Sequence, residues 1–299
     1  MRRFIVAFLA TLGAITLIVV GVLAGSAWWL MRSYGAPEPL PETMVLTLDL
    51  REPLSETRPS DPLAPLGLQR QLEVAELVLA LERASDDPRV AGLVARLDAT
   101  QHGFAVAEEV RAAVRAFASS GKPAVAWADS FGELGAGNEG YFIATAFDSI
   151  HLQPGGMLGL TGLIAEVPFI VPLLDRLGIE AEITRRSAYK TAFDSVIEPG
   201  LTDANREMLN DLLDGLYATL VGAIAEARGQ PPETVEQLID SGPLLASEAL
   251  AAGLVDSLAF RDEVLDRARD AAGPDAELVG LDRYAQRLSG EHDDEAAAI

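Results

Sequence analysis

The chain has 299 residues, of which 49% are hydrophobic, so it is long enough to bury one sizeable core. The net charge of -22, from 23 basic and 45 acidic residues, argues against nucleic acid as a partner. Cysteine is absent, which excludes disulfides, thiol catalysis and thiolate metal sites. The three histidines, His102, His151 and His292, show no metal-ligand spacing, so we expect neither a metal nor another cofactor.

The N-terminal segment from Phe4 to Met31 is uncharged and mostly apolar. As a helix it is long enough to cross a hydrocarbon core of about 30 Å, so residues 1–32 are predicted to contain a transmembrane anchor. Arg2 and Arg3 precede the segment, which predicts a cytoplasmic N-terminus with the bulk of the chain on the far side. A cleaved signal peptide is the alternative, since residues 24–27 are small, but the apolar run exceeds the usual hydrophobic region of about 7 to 15 residues.

A short proline-rich linker, residues 33–42, separates the anchor from a domain predicted at 43–282. Within that domain, apolar runs of strand length alternate with segments of helical periodicity. Strands are predicted at 44–50, 90–97, 124–128, 149–152 and 179–185, and helices at 72–83, 105–118, 140–146 and 170–177. This alternation is typical of an α/β protein with a largely parallel sheet.

A long helix follows, which Thr202 can cap and which Arg228-Gly229 can end. It carries an apolar stripe that we interpret as core, made of Leu209, Leu212, Leu213, Leu216, Leu220, Val221 and Ile224. Two short helices are predicted at 231–239 and 247–252. Residues 283–299 are polar and acidic and are predicted to form a tail or linker.

Lys190 lies among small and apolar residues in the stretch 186–193, which suggests an amine held out of water. An amine acts as a base near neutral pH only when burial lowers its pKa from about 10.4 by roughly 3 units. The alternative is an ordinary lysine whose stem lies on apolar surface while its amine reaches solvent.

Four short segments occur in a characteristic order: Gly121-Lys122-Pro123, Glu139-Gly140-Tyr141-Phe142, Ala188-Tyr189-Lys190-Thr191 with Glu198-Pro199, and Ala251-Ala252-Gly253-Leu254-Val255-Asp256. Together with the apolar N-terminus, this order resembles the bacterial signal peptide peptidase (protease IV) family, over nearly the whole chain. The likeness is to the amino-terminal half of the long, two-half form. It implies a crotonase- and Clp-protease-like fold of repeated βα units, placed at the inner membrane and facing outward.

The resemblance also implies a serine protease with a serine-lysine dyad, in which Lys190 is the base that takes the serine proton. In the short form of the family the serine stands at a Ser-Gly-Gly-Tyr helix start, where this chain has Asn138-Glu139-Gly140-Tyr141. Asparagine cannot be the nucleophile. In the long form the serine comes from a second half, and this chain ends about where that half would begin. A serine-bearing half, in cis or in trans, is therefore the expected partner.

Other candidate groups receive no catalytic role from the resemblance. The glycine-rich turn that supplies oxyanion amides is missing, since Leu97 is followed by residues 98–103 of different composition. His102 in that loop is expected to be structural or solvent-exposed, because no matching acid and serine can be placed beside it. None of the hydroxyls of Ser130, Ser187 and Ser195 is expected to be the nucleophile.

Three functional hypotheses follow. The first is the lysine-bearing half of a membrane-anchored protease that degrades hydrophobic signal peptides after secretion, assembled as a homo-oligomer as the resemblance implies. The second is an inactive, protease-derived scaffold or oligomerisation module at the membrane, which Asn138 favours. The third is a crotonase-type enzyme that acts on acyl thioesters, which the fold permits but the anchor and outward placement disfavour.

Overall fold

The computed structural model describes residues 13, 15–26, 29, 39–51, 54–56, 72–98, 102–133 and 135–288. The chain separates into two compact units, Met1–Pro41 and Glu42–Ile299. In the first unit, helix α1 (Ile15–Ser26) is apolar and its side chains are exposed. The described part of the predicted anchor is therefore helical. The remainder of that anchor and most of the linker lie outside the described residues, as does most of the loop after residue 51.

A parallel sheet forms the centre of the second unit. The strands are β1 (Met44–Asp49), β2 (Val90–Leu97), β3 (Ala124–Ala128), β4 (Ser149–Leu152), β5 (Met157–Leu158), β6 (Leu244–Leu245), β7 (Ser257–Leu258) and β8 (Glu277–Gly280). Six of them pair in the order β7-β4-β3-β2-β1-β8, and every neighbouring pair is parallel. β5 and β6 form a separate antiparallel pair. The predicted α/β class with a largely parallel sheet is confirmed.

Helices cover this sheet. They are α2 (Val74–Asp86), α3 (Phe104–Ala118), α4 (Asn138–Ala144), α5 (Val171–Leu177), α6 (Asp194–Ile197), α7 (Asp203–Arg228), α8 (Pro232–Asp240), α9 (Ala246–Ala251) and α10 (Arg261–Ala272). β2 is buried along nearly its whole length, as expected for a parallel strand covered on both faces. On one face Val264 of α10 packs against Val45, Val94 and Trp127 of three neighbouring strands.

The strand predicted at 179–185 is wrong, since these residues have no regular secondary structure. Ile179 and Ile183 supplied the apolar spacing for that prediction, yet both side chains are exposed, at 51% and 37%. A strand needs a neighbouring strand to accept its backbone hydrogen bonds, and none of the strands described in this chain lies beside the segment.

The long helix begins and ends where the sequence predicts. The Thr202 hydroxyl accepts a hydrogen bond from the Asn205 N–H, and Gly229 ends α7 in the left-handed conformation. Its apolar stripe is core only in the last third, where Leu220 and Ile224 are buried. Leu212 is 58% exposed. The expectation that the whole stripe is core is therefore wrong for the N-terminal part.

α7 is also the one helix, among the described residues, with the length and apolar composition to cross a membrane. Its buried C-terminal third and the ion pair between Arg228 and Asp256 join it to the α/β unit. At the other end of the unit, residues 281–288 are helical and Tyr284 is fully buried. The fold thus continues past residue 283, where the sequence predicts a tail.

Candidate functional site

The start of α4 is the place where the resemblance would put a nucleophile, and Asn138 fills it. Asn138 is 3% exposed, and its side-chain amide is fully engaged with the turn that follows β5. The Nδ2 atom donates to the Gly162 carbonyl at 2.6 Å, and Oδ1 accepts from the Thr161 N–H at 3.2 Å. Asn138 is therefore a structural clamp between α4 and this turn.

The next residue, Glu139, binds backbone N–H groups in the loop between β2 and α3. Its carboxylate accepts hydrogen bonds from the N–H of His102 and from the N–H of Gly103, the second at 3.1 Å. Adjacent backbone N–H groups of this kind could bind a negatively charged oxygen. Here the chain's own carboxylate occupies them, so they are not free to stabilise an oxyanion.

Gly140 lets α4 approach the end of β2 closely. A Cβ atom at this position would lie 1.9 Å from the Asp98 carbonyl oxygen, so no other residue fits without a backbone shift. The glycine of the Glu139-Gly140-Tyr141-Phe142 segment is thus explained by helix packing alone.

Two of the segments that carry the resemblance meet in the core. The Tyr141 hydroxyl donates to the Leu254 carbonyl at 2.5 Å, and burial raises the pKa of Tyr141. Two residues further on, the Asp256 carboxylate accepts from the Ile150 N–H at 2.7 Å and pairs with Arg228 at 2.9 Å. Burial acts to raise the pKa of Asp256, but the Arg228 and Ile150 hydrogen bonds outweigh it and hold this pKa below its usual range. Both segments therefore serve the fold.

His102 has a structural role, which is one of the two alternatives that the sequence leaves open. Its Nδ1 accepts a hydrogen bond from the Leu54 N–H at 3.1 Å, so the proton lies on Nε2, which faces the Leu50 carbonyl at 3.2 Å. Both ring nitrogens are used by the backbone. His151 likewise lies between the hydroxyls of Ser149 and Ser257.

The candidate serines are not brought to Lys190. The Ser130 hydroxyl is buried and accepts from the Met157 N–H at 3.0 Å. The Ser187 hydroxyl accepts from the Tyr189 N–H at 3.2 Å. Within the described part of the chain, no hydroxyl forms a hydrogen bond with the Lys190 amine.

Lys190 lies on an exposed segment, residues 161–193, which we name the lysine arm. None of the residues 161–193 is buried, and Lys190 itself is exposed. In the single chain its amine is therefore in solvent, and the expectation that its neighbours hold it out of water is not met there. Lys190 borders a cavity of about 580 Å³ whose apolar lining includes Ile183, Tyr189, Phe193 and Ile197.

The chain has only one other lysine, Lys122, and its contacts differ from those of Lys190. Lys122 is half-buried, and its amine donates to the carbonyls of Ala84 and Asp87 at 2.6 and 2.7 Å. It thereby satisfies two carbonyl groups at the C-terminal end of α2. Burial lowers the pKa of Lys122. The lysine of the Gly121-Lys122-Pro123 segment is therefore a helix cap, and Lys190 is the lysine without a structural partner among the described residues.

A buried carboxylate lies at the base of the lysine arm. Asp194 is 1% exposed and is the first residue of α6. Its two oxygens accept from Arg185 Nη1 at 2.6 Å and from the Thr202 hydroxyl at 3.0 Å. Arg185 also donates through Nη2 to Glu198 at 2.8 Å. The sequence analysis missed Asp194 and Arg185, because nothing in local composition shows which of many charged residues is buried.

In the described ranges, no group of three or more His, Asp or Glu side chains could hold a metal ion. A cavity of about 500 Å³ lies at the carboxyl end of β1 and β2 and is lined in part by Arg51, Arg96 and Trp127. Neither Asn138 nor Lys190 contributes to its lining.

The fold is a parallel-sheet α/β domain, and comparisons with known proteins place it among peptidases. Residues 116–274, more than half of the chain, match the model of Peptidase family S49. The chain therefore belongs to Peptidase family S49.

Individual relatives agree with this. The "Serine protease SPPA, chloroplastic" of Arabidopsis thaliana is 28% identical over 229 residues, which are 77% of this chain and 32% of that protein. "Protease 4" of Haemophilus influenzae is 27% identical over 192 residues, 62% of this chain and 30% of that protein. This chain thus spans about a third of the length of these relatives. The predicted resemblance to the signal peptide peptidase (protease IV) family is confirmed.

Solved structures align over much of the chain at low similarity. A probable enoyl-CoA hydratase/isomerase from Mycobacterium abscessus is 12% identical, with a TM-score of 0.37, over 79% of this chain and 72% of that one.

Proposed function

We propose that this chain is the lysine-bearing half of a membrane-anchored serine endopeptidase that degrades hydrophobic signal peptides. Lys190 is the general base in this proposal, and the serine comes from a second domain of similar fold, in cis or in trans. In the reaction, the lysine amine takes the serine hydroxyl proton as the serine oxygen attacks the scissile carbonyl.

The lysine arm is the observation on which the proposal depends. It exposes a large apolar surface, with Ile164 at 81%, Leu177 at 63% and Phe193 at 56%, around an amine that has no partner in the described chain. Several large exposed apolar side chains in one segment are typical of a protein interface. A second domain seated on the arm would bury the apolar side chains and remove water from Lys190, which is what a lysine base requires.

The start of α4 is compatible with this division of labour. Asn138 and Glu139 fill the places of a nucleophile and of an oxyanion, so this half offers no second set of reacting groups at that site. The proposed partner is a serine-bearing half. In a homo-oligomer, a neighbouring copy supplies that half. The same apolar surface serves both arrangements.

The proposed substrate and location also depend on apolar surfaces, the first on the cavity beside Lys190 and the second on helix α1. The cavity beside Lys190 has isoleucine and aromatic side chains in its lining, which suit the apolar residues of a signal peptide. The helix α1 belongs to the predicted anchor, so we place the chain at the inner membrane as a single-pass protein whose α/β unit faces the periplasm or exterior.

The test uses the chain together with its serine-bearing domain, in detergent. Wild-type protein should hydrolyse a fluorogenic apolar peptide and react with a fluorophosphonate at the partner serine. Lys190→Ala should lower kcat by about 100- to 10,000-fold, the usual contribution of general base catalysis. Lys190→Ala with unchanged kcat would refute the assignment.

A catalytically inactive scaffold is the second candidate, and the occupied α4 start favours it. It predicts no fluorophosphonate labelling with any partner domain and full tolerance of Lys190→Ala. It also predicts that the exposed apolar surface of the lysine arm still mediates assembly, which sedimentation of Lys190→Ala would show.

A further inference from the structure

We propose that Asp194 is a positioning residue that fixes the turn carrying Lys190 in the orientation that catalysis needs. This inference rests on the proposed role of Lys190 as base. It adds a residue, with two partners, that the resemblance does not assign, and it concerns how the lysine arm keeps its shape rather than what Lys190 does.

The first step is the burial of Asp194. Its side chain is 1% exposed, whereas none of the preceding residues 161–193 is buried. An ionised carboxylate loses its hydration on burial, so it is retained only where hydrogen-bond donors replace the water. Arg185 and the Thr202 hydroxyl supply these donors, at 2.6 and 3.0 Å.

The second step is the path of the chain around Lys190. Arg185 precedes the lysine and Asp194 follows it, so the hydrogen bond between them spans the turn, while the bond from Thr202 holds Asp194 to the start of α7. Arg185 also reaches Glu198, so that one planar guanidinium joins two carboxylates with a fixed geometry.

The third step is that the turn has little else to fix it. The Lys190 N–H donates to the Ser187 carbonyl at 3.1 Å, and the Asp194 N–H donates to the Thr191 carbonyl at 2.9 Å. These are local contacts. One exposed side-chain contact also reaches α7, where the Tyr189 hydroxyl donates to Glu207 at 2.7 Å, but no side chain between Arg185 and Asp194 is buried.

Thr202 links the turn to the rest of the domain. Its hydroxyl donates to Asp194 and accepts from the Asn205 N–H, so it is both the cap of α7 and a partner of the buried carboxylate. Because the C-terminal third of α7 is buried in the core, this hydrogen bond connects the lysine arm to the rigid part of the fold.

The sequence offers a direct measurement of the turn. Lysyl endopeptidase cleaves after lysine, and the second lysine, Lys122, is followed by Pro123, a bond this enzyme cleaves poorly. Cleavage of the native full-length chain therefore reports opening of the turn at Lys190. Asp194→Asn should raise the cleavage rate about 10-fold, because native-state proteolysis follows the population of the opened segment.

The matched control is Asp175→Asn, which makes the same change of charge on the same arm. Asp175 is exposed on α5, and its carboxylate has no hydrogen bond with any residue that the structure describes. Its cleavage rate should equal that of the wild-type chain. Asp194→Glu, which keeps the charge, should restore much of the protection.

The catalytic arm of the test uses the chain with its serine-bearing domain. Asp194→Asn should lower kcat roughly 100-fold with KM within about twofold, because displacement of a catalytic group by about 1 Å has such an effect. Asp194→Glu should recover part of kcat, and Asp175→Asn should retain all of it. Where Asp194→Asn does not fold, Arg185→Gln, which loses the ion pairs to Asp194 and Glu198 and adds no lysine for the peptidase to cleave, takes its place in both measurements.

Faster cleavage together with lower kcat supports the proposal. Unchanged kcat in Asp194→Asn overturns it, even if cleavage accelerates, and so does a lower kcat without faster cleavage. Retained activity in Lys190→Ala is a separate result. It refutes the proposed function, and the proteolysis measurement then reports only how far Asp194 keeps the turn closed.

Discussion

The sheet and the lysine arm differ in the burial of their apolar side chains. In the sheet, strands such as β2 are buried on both faces, and Leu93 is 1% exposed. In residues 161–193 no side chain is buried, although isoleucine, leucine and phenylalanine are frequent there. The residue to which we assign chemistry thus lies on the part of the molecule that gains least from the fold of the single chain. This difference is what the proposed docking of a second domain on the arm requires.

The two lysines repeat the contrast at the scale of one side chain. Lys122 belongs to the core region, donates to two carbonyl groups and has a defined structural task. Lys190 belongs to the arm and has no such task in the described chain. A substitution at Lys122 should therefore affect stability, and a substitution at Lys190 should affect activity.

The largest expected effect on stability is at Gly140, which we compare with Gly215. Gly140→Ala places a Cβ atom 1.9 Å from the Asp98 carbonyl oxygen, so α4 must move, and we expect the free energy of unfolding to fall by at least about 3 kcal/mol. Gly215→Ala on α7 meets no atom within 4 Å and should instead stabilise by roughly 0.5–1 kcal/mol. Urea unfolding followed by circular dichroism measures both. Equal effects at the two sites would contradict the packing described for α4.

A leucine pair tests the sheet against the lysine arm directly. Leu93→Ala in β2 should cost about 2–5 kcal/mol, because it leaves a cavity in a fully buried strand. Leu173→Ala, at a side chain that is 55% exposed, should change the unfolding free energy by less than about 0.5 kcal/mol. Leu173→Ala should also weaken binding to the partner domain about 10-fold, which sedimentation would measure. A large loss of stability from Leu173→Ala would mean that the arm packs against its own domain.

A third prediction concerns acid stability of the core. The folded state holds the pKa of Asp256 below its usual range, so its contribution to stability is present above the unfolded pKa of about 3.9 and is lost as pH falls through the folded value. Asp256→Asn should therefore cost about 1 kcal/mol near pH 7, a figure reduced for partial exposure of the pair, and less below about pH 4. Thermal unfolding at several pH values measures this. A constant difference down to pH 2 would exclude the ion pair as its source.

The smallest expected effect is at Arg111, which is 8% exposed between α3 and α4. Its guanidinium lies 4.1 Å from the centre of the Phe142 ring and donates to the Thr145 hydroxyl, while Nη2 has no partner in the described chain. Burial lowers the pKa of Arg111 to about 10. Arg111→Met should change stability by no more than about 1 kcal/mol, because the cost of burying the charge offsets its contacts. Calorimetry that shows a loss above about 3 kcal/mol would contradict this.

The strands of the central sheet were predictable because their local pattern and their final environment agree. Val90–Leu97 and Ala124–Ala128 are short apolar runs between turns, and both become buried parallel strands with the predicted bounds. Thr202 and Gly229 mark the ends of α7 in the same local way. The segment 179–185 failed because its apolar residues had no neighbouring strand in this chain to complete the pattern.

The candidate site divides along the same line. Lys190 and the substitution at Asn138 were visible in the sequence, because the order of short segments around them resembles a known family. Glu139 and Asp194 were not, although each controls a part of the site. Their roles depend on which backbone N–H or guanidinium lies opposite, and acidic residues are too numerous in this chain for composition to single out two of them.

The sequence alone determined the family resemblance, the alternation of strands and helices, the absence of thiol chemistry and the candidacy of Lys190. Periodicity and residue type suffice for these properties because they are local. The tertiary structure decided that a carboxylate closes the α4 site, that a buried Asp194 fixes the base of the lysine arm and that the arm itself remains uncovered. Each of these depends on contacts between distant segments, and burial of a charge is favourable only when its hydrogen-bond partners come together in space.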